Sequence, residues 1–333
     1  MAHSLIRKCI KPSTPNFLTT LSAAQIRRRS ASVAAAHENP SPSPPSSSSS
    51  SSSAFTFSSE GDKVYVKAPA GRWKAPSSST VTMPVSFMTG SIVGKRFYKE
   101  VTTREADDGN GWTVMLDYRT LKTPSKKPLK LPTLPLAQAI AAEWEYQQID
   151  GIRPFTMPLM RLACTALERV PLTRSKIIEN LMKKFNQDLV FCRVPDDNEL
   201  TSSVYDLQVE KIDPLLRWME SEFGFKPVVY SSFFGGKQED GLVLAIENLL
   251  MKTDDCELAT IDAIAASAHS LTIAIGMVHG RLQIEEAIEL IRLEEDFQVD
   301  KWGLVEGGHD VDIADLRVQI SSAIVFLSLS RCI

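Results

Sequence analysis

The 333-residue sequence lacks the patterns that mark several large classes of protein. It has no run of about 18 apolar residues, the length that a membrane-spanning helix needs, and therefore predicts no stable membrane insertion. It also has no N-x-S/T glycosylation acceptor. Cysteines are few, and none forms a C-x-x-C pair or has metal-ligand spacing to a histidine, which argues against structural zinc: Cys9, Cys164, Cys192, Cys256 and Cys332.

Nucleotide-binding and hydrolase motifs are missing as well. The chain contains no G-x-x-x-x-G-K-[ST] loop, no G-x-G-x-x-G after a strand, no G-x-S-x-G elbow and no H-E-x-x-H pair. The pairs Gly235-Gly236 and Gly307-Gly308 are not followed by Lys-Ser/Thr and are typical of loops. We therefore predict no cofactor, no metal and no catalytic residue.

Acidic residues are absent from the first 37 positions, which carry six basic ones. This segment is rich in Ser and Ala, and we predict an organelle transit peptide over 1–37, with a basic disordered tail as the alternative. Composition alone does not separate a mitochondrial from a chloroplast destination. The Ser/Pro-rich stretch that follows cannot bury enough apolar surface to fold, so we predict a disordered linker over 38–93.

The chain beyond position 37 carries 31 basic against 40 acidic residues, a net charge of −9, which gives no case for nucleic-acid binding. From Lys95 the residues alternate, and the turn Asp107–Gly111 predicts a β-hairpin. A helical period follows from Leu134. We predict an α+β fold: a small N-terminal β-rich domain with a closing helix over 94–153, followed by a larger all-helical domain of six to eight helices over 154–333.

The helix that begins at Ile284 holds the most informative anomaly. Its wheel predicts one apolar arc and an opposite, solvated side with Glu285, Glu289, Arg292 and Asp296. Glu294 and Glu295 fall inside or beside the apolar arc, where a carboxylate needs a partner. Two interpretations stay open: an internal salt bridge to a core arginine such as Arg161 or Arg281, and a groove that awaits a binding partner.

Other polar and aromatic residues have simpler interpretations. His309-Asp310 resembles a base with an orienting carboxylate, but Asp310 also stands where a helix N-cap is expected, and capping is favoured. Three tryptophans are predicted as structural anchors of the core: Trp112, Trp144 and Trp218. Trp302 has polar neighbours and is also a candidate for an interface.

Several segments, in order, resemble the mitochondrial F1-ATPase assembly chaperone family, in the branch that handles the α subunit of ATP synthase. The resemblance runs from about Lys95 to about Leu329. It departs from the family pattern at Cys164, Ile212 and Asn186–Leu189. The segments that carry it are GKRFY from Gly94, GWTVMLDYRTLKTP from Gly111, AEW from Ala142, MPLMRLACTAL from Met157, DPLLRW from Asp213 and RLEEDFQVDKWGLVEGGHD from Arg292.

The resemblance implies an ATP-independent chaperone of the mitochondrial matrix that is monomeric when free. It would bind the unassembled F1 α subunit and prevent its aggregation until a β subunit replaces it. The family's acidic C-terminal motif corresponds to Glu294, Glu295 and Asp296, and the resemblance adds Trp302 and Asp310 as partner-binding candidates. The alternative is an organellar small-molecule enzyme that uses the acidic motif with His309 and Asp310; a permanent stalk-type subunit of a membrane complex is a third interpretation.

Overall fold

Alternating apolar residues on either side of a glycine-rich turn form the sheet. Strands β2 (Val101–Glu105) and β3 (Trp112–Leu116) are antiparallel, and β4 (Arg119–Lys122) pairs with β3 in the same sense. Strand β1 (Thr80–Thr82) runs parallel to β4, which gives the order β1-β4-β3-β2. The predicted hairpin is confirmed by the pairing of β2 with β3.

The computed structural model describes residues 80–197, 199–231, 236–305 and 307–331. The predicted transit peptide (1–37) and positions 38–79 of the predicted linker lie outside these ranges. For 80–93 the linker prediction is wrong, because β1 belongs to the sheet and the 3₁₀ turn Val85–Thr89 buries Phe87 completely. These elements are too short to show a hydrophobic period beside a Ser-rich stretch.

Helix α1 (Leu134–Glu145) closes the β-rich part. It begins at Thr133, whose side chain accepts a hydrogen bond from the Leu136 N–H, as expected of a threonine N-cap. Its largest side chain, Trp144, is 0% exposed and stacks on Phe87 with ring centroids 6.0 Å apart. The other two predicted anchors, Trp112 and Trp218, are half-buried.

The rest of the described chain is almost entirely helical, and the predicted α+β class is confirmed. A π-helical turn (Thr165–Arg169) precedes Pro171, whose missing N–H disfavours a regular α-turn there. The helices are α2 (Pro158–Cys164), α3 (Val170–Phe185), α4 (Glu199–Phe223), α5 (Asp240–Lys252), α6 (Asp255–Ala268), α7 (Leu271–Val278), α8 (Ile284–Trp302) and α9 (His309–Arg331).

Two helix boundaries differ from the sequence expectation. The sequence predicts separate helices over 200–211 and 213–223, but α4 continues through Pro214, where Leu215 and Leu216 are buried and hold the helix in place. Conversely, the continuous helix predicted over 258–278 is broken after α6. His269 adopts a left-handed conformation with φ 51°, and the Ser270 side chain caps α7 at Ile273.

The core is continuous across the predicted domain boundary between 153 and 154. One cluster of buried side chains extends from Val81 to Phe326. Helix α1 packs on β2 and β3 and also contacts α2 and α9. In addition, the Thr133 hydroxyl donates to the Leu329 carbonyl oxygen at 2.5 Å. The C-terminal helix therefore holds the two predicted domains together.

Helix α9 is long and apolar enough to cross a membrane by length and composition. The sequence shows no continuous apolar run there, because Ser, Gln and single charged residues interrupt the apolar ones. In the structure α9 packs against α1, α2, α6 and α8, and it buries Ile320, Ala323, Phe326 and Leu327. These contacts cover one side of α9, and 22% of the apolar 18-residue window that meets this criterion is buried.

The Glu143 side chain links α1 to α2 through hydrogen bonds with backbone N–H groups. Its two carboxylate oxygens accept hydrogen bonds from the Leu159 and Met160 N–H groups at the start of α2, each at 2.8 Å. A carboxylate at a helix N-terminus satisfies amide donors that have no partner within the helix. Removal of water from the carboxylate nevertheless raises the pKa of Glu143 from 4.5 to about 8, and these two hydrogen bonds oppose the rise only in part.

We expect Glu143→Gln to reduce the pH dependence of stability. Because the folded-state pKa is raised, the protonated form is favoured on folding, and its stabilisation is full below pH 4.5 and is lost as the pH approaches 8. The free energy of unfolding of the wild type should fall by about 2–4 kcal/mol in that interval. Urea titrations at pH 5 and pH 8 should show a smaller fall in Glu143→Gln.

The control for this comparison is Glu247→Gln, an exposed residue on α5, which should keep the wild-type slope. A smaller pH-dependent fall should persist in Glu143→Gln, because burial also raises the pKa of Asp188. Identical slopes in the wild type and Glu143→Gln would contradict the expectation.

Candidate protein-interaction site

The five residues predicted to bind a partner lie in one part of the chain. Glu294, Glu295, Asp296 and Trp302 belong to the last turns of α8, and Asp310 belongs to the first turn of α9. We call this region, residues 292–305 and 307–312, the α8–α9 corner.

Helix α8 is positioned by its first half. A capping box begins it: the Glu286 side chain accepts from the Gln283 N–H at 2.8 Å, and the Gln283 side chain caps in return. The predicted apolar arc faces the body, with Ala287 and Ile288 buried and Ile284 and Ile291 half-buried. The helix therefore extends its last three turns toward the corner from a fixed base.

The Arg292 side chain forms ion pairs with two carboxylates of the acidic motif. Its side chain is 4% exposed, its Nη1 donates to Glu295 Oε2 at 2.9 Å, and its Nη2 donates to Asp296 Oδ1 at 2.8 Å. The expectation that Arg292 lies on a solvated side is wrong. The internal salt bridge exists, but it comes from the same helix and not from Arg161 or Arg281. Since α8 contacts α4, α7 and α9, more than one arc of it is covered.

Glu294 is exposed. It lies at the edge of the α4–α8 contact, where its Oε1 accepts a hydrogen bond from Gln208 Nε2 at 2.7 Å. Gln208 is buried, and its Oε1 in turn accepts from the Val194 N–H at 3.0 Å. Sequence reasoning missed Gln208, since a single buried amide 86 residues away along the chain leaves no pattern to detect.

Two glycines with positive φ lie in the connection between α8 and α9. Gly303 and Gly307 have φ of 90° and 76°, values that favour glycine. The Val305 carbonyl oxygen accepts from the His309 N–H at 3.2 Å, and His309 Nε2 lies 4.0 Å from Glu295 Oε1. His309 thus links the start of α9 to the acidic motif on α8.

The prediction that Asp310 is the N-cap of α9 is wrong. The helix begins one residue earlier, at His309, and the Gly308 carbonyl oxygen accepts from the Val311 and Asp312 N–H groups. Asp310 lies in the first turn with its side chain exposed. A carboxylate in this position interacts favourably with the positive end of the helix dipole and stays available to a partner.

Apolar residues at the corner are exposed to solvent. Trp302 is 69% exposed, and Leu304, Val305 and Val311 are each more than half exposed. Exposed carboxylates surround them along the chain: Glu294, Asp296, Asp310 and Asp312. An exposed apolar group with a polar rim is typical of protein–protein interaction sites. This arrangement fits a partner surface that is apolar at its centre and basic around it.

The enzyme alternative requires a cavity that joins the acidic motif to His309 and Asp310. Two cavities of about 370 Å³ lie elsewhere, one between α2, α6 and α9 and one beside α1, and neither is lined by any of these residues. Among the residues that the structure describes, no group of three or more His, Cys, Asp or Glu side chains could hold a metal ion.

Known proteins share both the sequence and the fold. Residues 95–220 match the family described as the ATP12 chaperone protein. Protein atp12, mitochondrial, from Schizosaccharomyces pombe is 27% identical over 252 residues, covering 72% of this chain and 83% of the relative. Protein ATP12, mitochondrial, from Saccharomyces cerevisiae is 22% identical over 71% of this chain and 84% of its own length. The chain is similar to the ATP12 chaperone family over residues 95–220 and to these relatives over most of their length.

The structural comparison agrees with this assignment. The crystal structure of Atp12 from Paracoccus denitrificans superposes with a TM-score of 0.64 and 29% identity, and the match covers 72% of this chain and 99% of that protein. The resemblance seen in the sequence is therefore confirmed at the level of the ATP12 family. The mitochondrial names of the two fungal relatives confirm the predicted mitochondrial localisation.

Proposed function

We propose that this protein is a chaperone for assembly of the mitochondrial F1 sector of ATP synthase. In the matrix it binds the unassembled α subunit and prevents its aggregation until a β subunit replaces it. The observation that carries the proposal is the α8–α9 corner, where Trp302 and apolar residues that follow it in the chain are exposed, with exposed carboxylates before and after them in the sequence. Similarity to the family supplies the class of function, and the corner supplies a surface for it.

The ion pairs of the corner support a binding role. Arg292 holds Glu295 and Asp296 in fixed positions, yet these side chains remain 40% and 51% exposed. A partner therefore meets carboxylates that have already lost part of their rotamer freedom, which lowers the entropic cost of association. Charged groups arranged this way contribute mainly to partner choice and to the rate of encounter.

We propose that the chaperone acts without ATP. The sequence has no P-loop, and a chaperone that only shields a surface needs no nucleotide. Release then depends on competition: a β subunit that binds the same face of α more tightly displaces the chaperone by mass action. We propose on these grounds that the protein is not an enzyme and that it acts as a monomer when free of its partner.

The test is aggregation of the isolated F1 α subunit, diluted from denaturant, measured by light scattering with the full chain and no nucleotide. The wild type should suppress scattering at near-equal molar ratio. Trp302→Ala should weaken binding of α by about tenfold, because exposed tryptophans at interfaces often dominate the affinity. Tyr118→Ala, which removes an equally accessible aromatic from the β3–β4 turn, serves as the matched control.

Failure of the wild type to suppress aggregation would refute the proposal. If the wild type is active and Trp302→Ala matches it, the corner is not the binding surface. The stalk-subunit interpretation predicts a different result, namely stoichiometric recovery of the protein with finished ATP synthase.

A further inference from the structure

A second surface, on α9, is also built to receive a partner. Val311, Val318 and Val325 are exposed, with Val318 at 53%. They are seven residues apart, close to two helical turns, so they form one line along the helix with about 10 Å between neighbours. Other apolar residues of α9 that face the body, such as Ile320 and Phe326, are fully buried. The helix therefore has a covered apolar side and an uncovered valine line.

The valine line leads into a groove. The cavity of about 370 Å³ between α2, α6 and α9 is lined by Val318 on one side and by Leu162 and Phe155 on the other. Its floor on α6 includes the small side chains of Ala259, Ala263 and Ala266, which share one helix face, and α6 also contributes Asp262 and Ser267. Phe155 is 57% exposed at the rim. Apolar side chains thus line the groove together with polar ones such as Thr165, Gln319 and Ser322, and its volume admits an inserted side chain.

The charges around this surface are unequally distributed. The first half of α9 exposes Asp310, Asp312 and Asp315, whereas its cation Arg317 is paired with Glu285 at 2.7 Å. The opposite wall carries Arg169, which is paired with Asp262 at 3.2 Å, and the exposed Arg161. Of these aspartates, Asp315 lines the groove on the α9 side, and Arg161 and Arg169 line it on the opposite side.

We propose that the α9 valine line and its groove bind an amphipathic helix of the client subunit, with its apolar ridge in the groove and basic side chains against the α9 aspartates. This inference rests on the proposed chaperone function and concerns a surface that adjoins the α8–α9 corner, shares Val311 with it, and extends from it to the groove beside Val318. The charges select this occupant: an anionic membrane surface would be repelled by the three aspartates. A second copy of the chain would place aspartates against aspartates in a parallel pairing.

The length of the surface agrees with a helical occupant. From Val311 to Val325 the line spans about 20 Å, which corresponds to roughly 14 residues of a partner helix lying along it. A helix in a groove is a recurrent recognition mode, in which side chains at i, i+3, i+4 and i+7 act as anchors. The corner lies at the N-terminal end of this line, so one client could contact both surfaces.

The experiment uses the full chain and two synthetic peptides of about 20 residues, each with a leucine ridge, one with lysines along its edge and one with glutamates. Fluorescence anisotropy should show binding of the lysine peptide and at least about tenfold weaker binding of the glutamate peptide. Val318→Asp should weaken binding of the lysine peptide by about tenfold or more. Asp315→Asn, which retains a side-chain oxygen for Gln319, should reduce its salt dependence.

The matched control is Leu244→Asp, at an equally exposed position on α5, which packs against α3 and α4. Equal binding of both peptides, or an unchanged affinity in Val318→Asp with its circular dichroism intact, would overturn the inference. Dimerisation of the wild type that Val318→Asp abolishes, measured by sedimentation, would also overturn it in favour of self-association.

The aggregation assay with the α subunit separates the two proposals. If the wild type suppresses aggregation and Val318→Asp does so equally well, the groove proposal fails and the chaperone proposal stands. If the wild type does not suppress aggregation but binds the lysine peptide through Val318, the groove stands as a helix-binding site and the proposed function fails.

Discussion

Glu295→Lys is expected to abolish suppression of α-subunit aggregation while the protein stays folded. The change places an ammonium beside the Arg292 guanidinium, which now donates to Glu295 at 2.9 Å, and beside His309. Repulsion should turn the new side chain outward and move Arg292 from its position. A basic partner surface would then meet a cation where it now meets a carboxylate. Such a reversal costs about 2 kcal/mol or more of binding, roughly thirtyfold in affinity.

Stability should change far less than binding. The Glu295 side chain is 40% exposed, so solvent screens its ion pair and the free energy of unfolding should fall by only about 1 kcal/mol. Glu247→Lys on α5 makes the same charge change at an exposed position and should keep full activity. Full activity of Glu295→Lys would show that the acidic motif does not carry the function; equal loss in Glu247→Lys would show that net charge alone matters.

Trp144→Ala is expected to cause the largest loss of stability, about 3–5 kcal/mol, because it empties the centre of the β-rich part. The indole is fully buried, stacks on Phe87, and meets Tyr98 edge-on with centroids 5.8 Å apart. Phe87 and Tyr98 precede the hairpin, so the cavity would loosen the packing of α1 on the sheet. Urea unfolding followed by circular dichroism measures the effect.

Two further tryptophan variants make this prediction specific. Trp144→Phe should lose less, about 1–2 kcal/mol, since the indole Nε1 has no hydrogen-bond partner among the described residues and the ring stacking is largely retained. Trp302→Ala, at the exposed corner, should change the free energy of unfolding by less than about 0.5 kcal/mol. A loss below about 1 kcal/mol in Trp144→Ala would contradict the role given to this residue.

Elements whose evidence is local could be predicted from the sequence. The hairpin of β2 and β3 follows from alternation around a glycine turn, and the first half of α8 follows from its apolar arc. In both cases the residues that define the element are close together in the chain. Family resemblance extended this local evidence to the order of the two parts and to the general location of the acidic motif.

The arrangement of the acidic motif could not be predicted, because it depends on contacts between distant segments. The helical wheel assumes a single buried side, whereas α4, α7 and α9 all contact α8 and bury Arg292. Likewise, Gln208 meets Glu294 only because α4 and α8 pack together. The groove beside Val318 also depends on three helices, and each alone shows only small or isolated apolar residues.

Short elements could not be predicted from the sequence for a different reason. The three residues of β1 form a strand because they pair with β4, and Phe87 is buried where it stacks on Trp144. Asp188, in the segment that departs from the family pattern, is buried and accepts from the Thr272 N–H at 2.9 Å, a contact that spans 84 residues. Tertiary contacts of this kind leave no periodic signal in the sequence.

Binding of the α subunit before assembly can be tested by affinity isolation of the tagged full chain from mitochondria under native conditions, followed by quantitative mass spectrometry. We predict recovery of near-stoichiometric α subunit with little β subunit and no membrane sector, and loss of α from the Glu295→Lys protein. Recovery of complete ATP synthase, or of no F1 subunit at all, would contradict it.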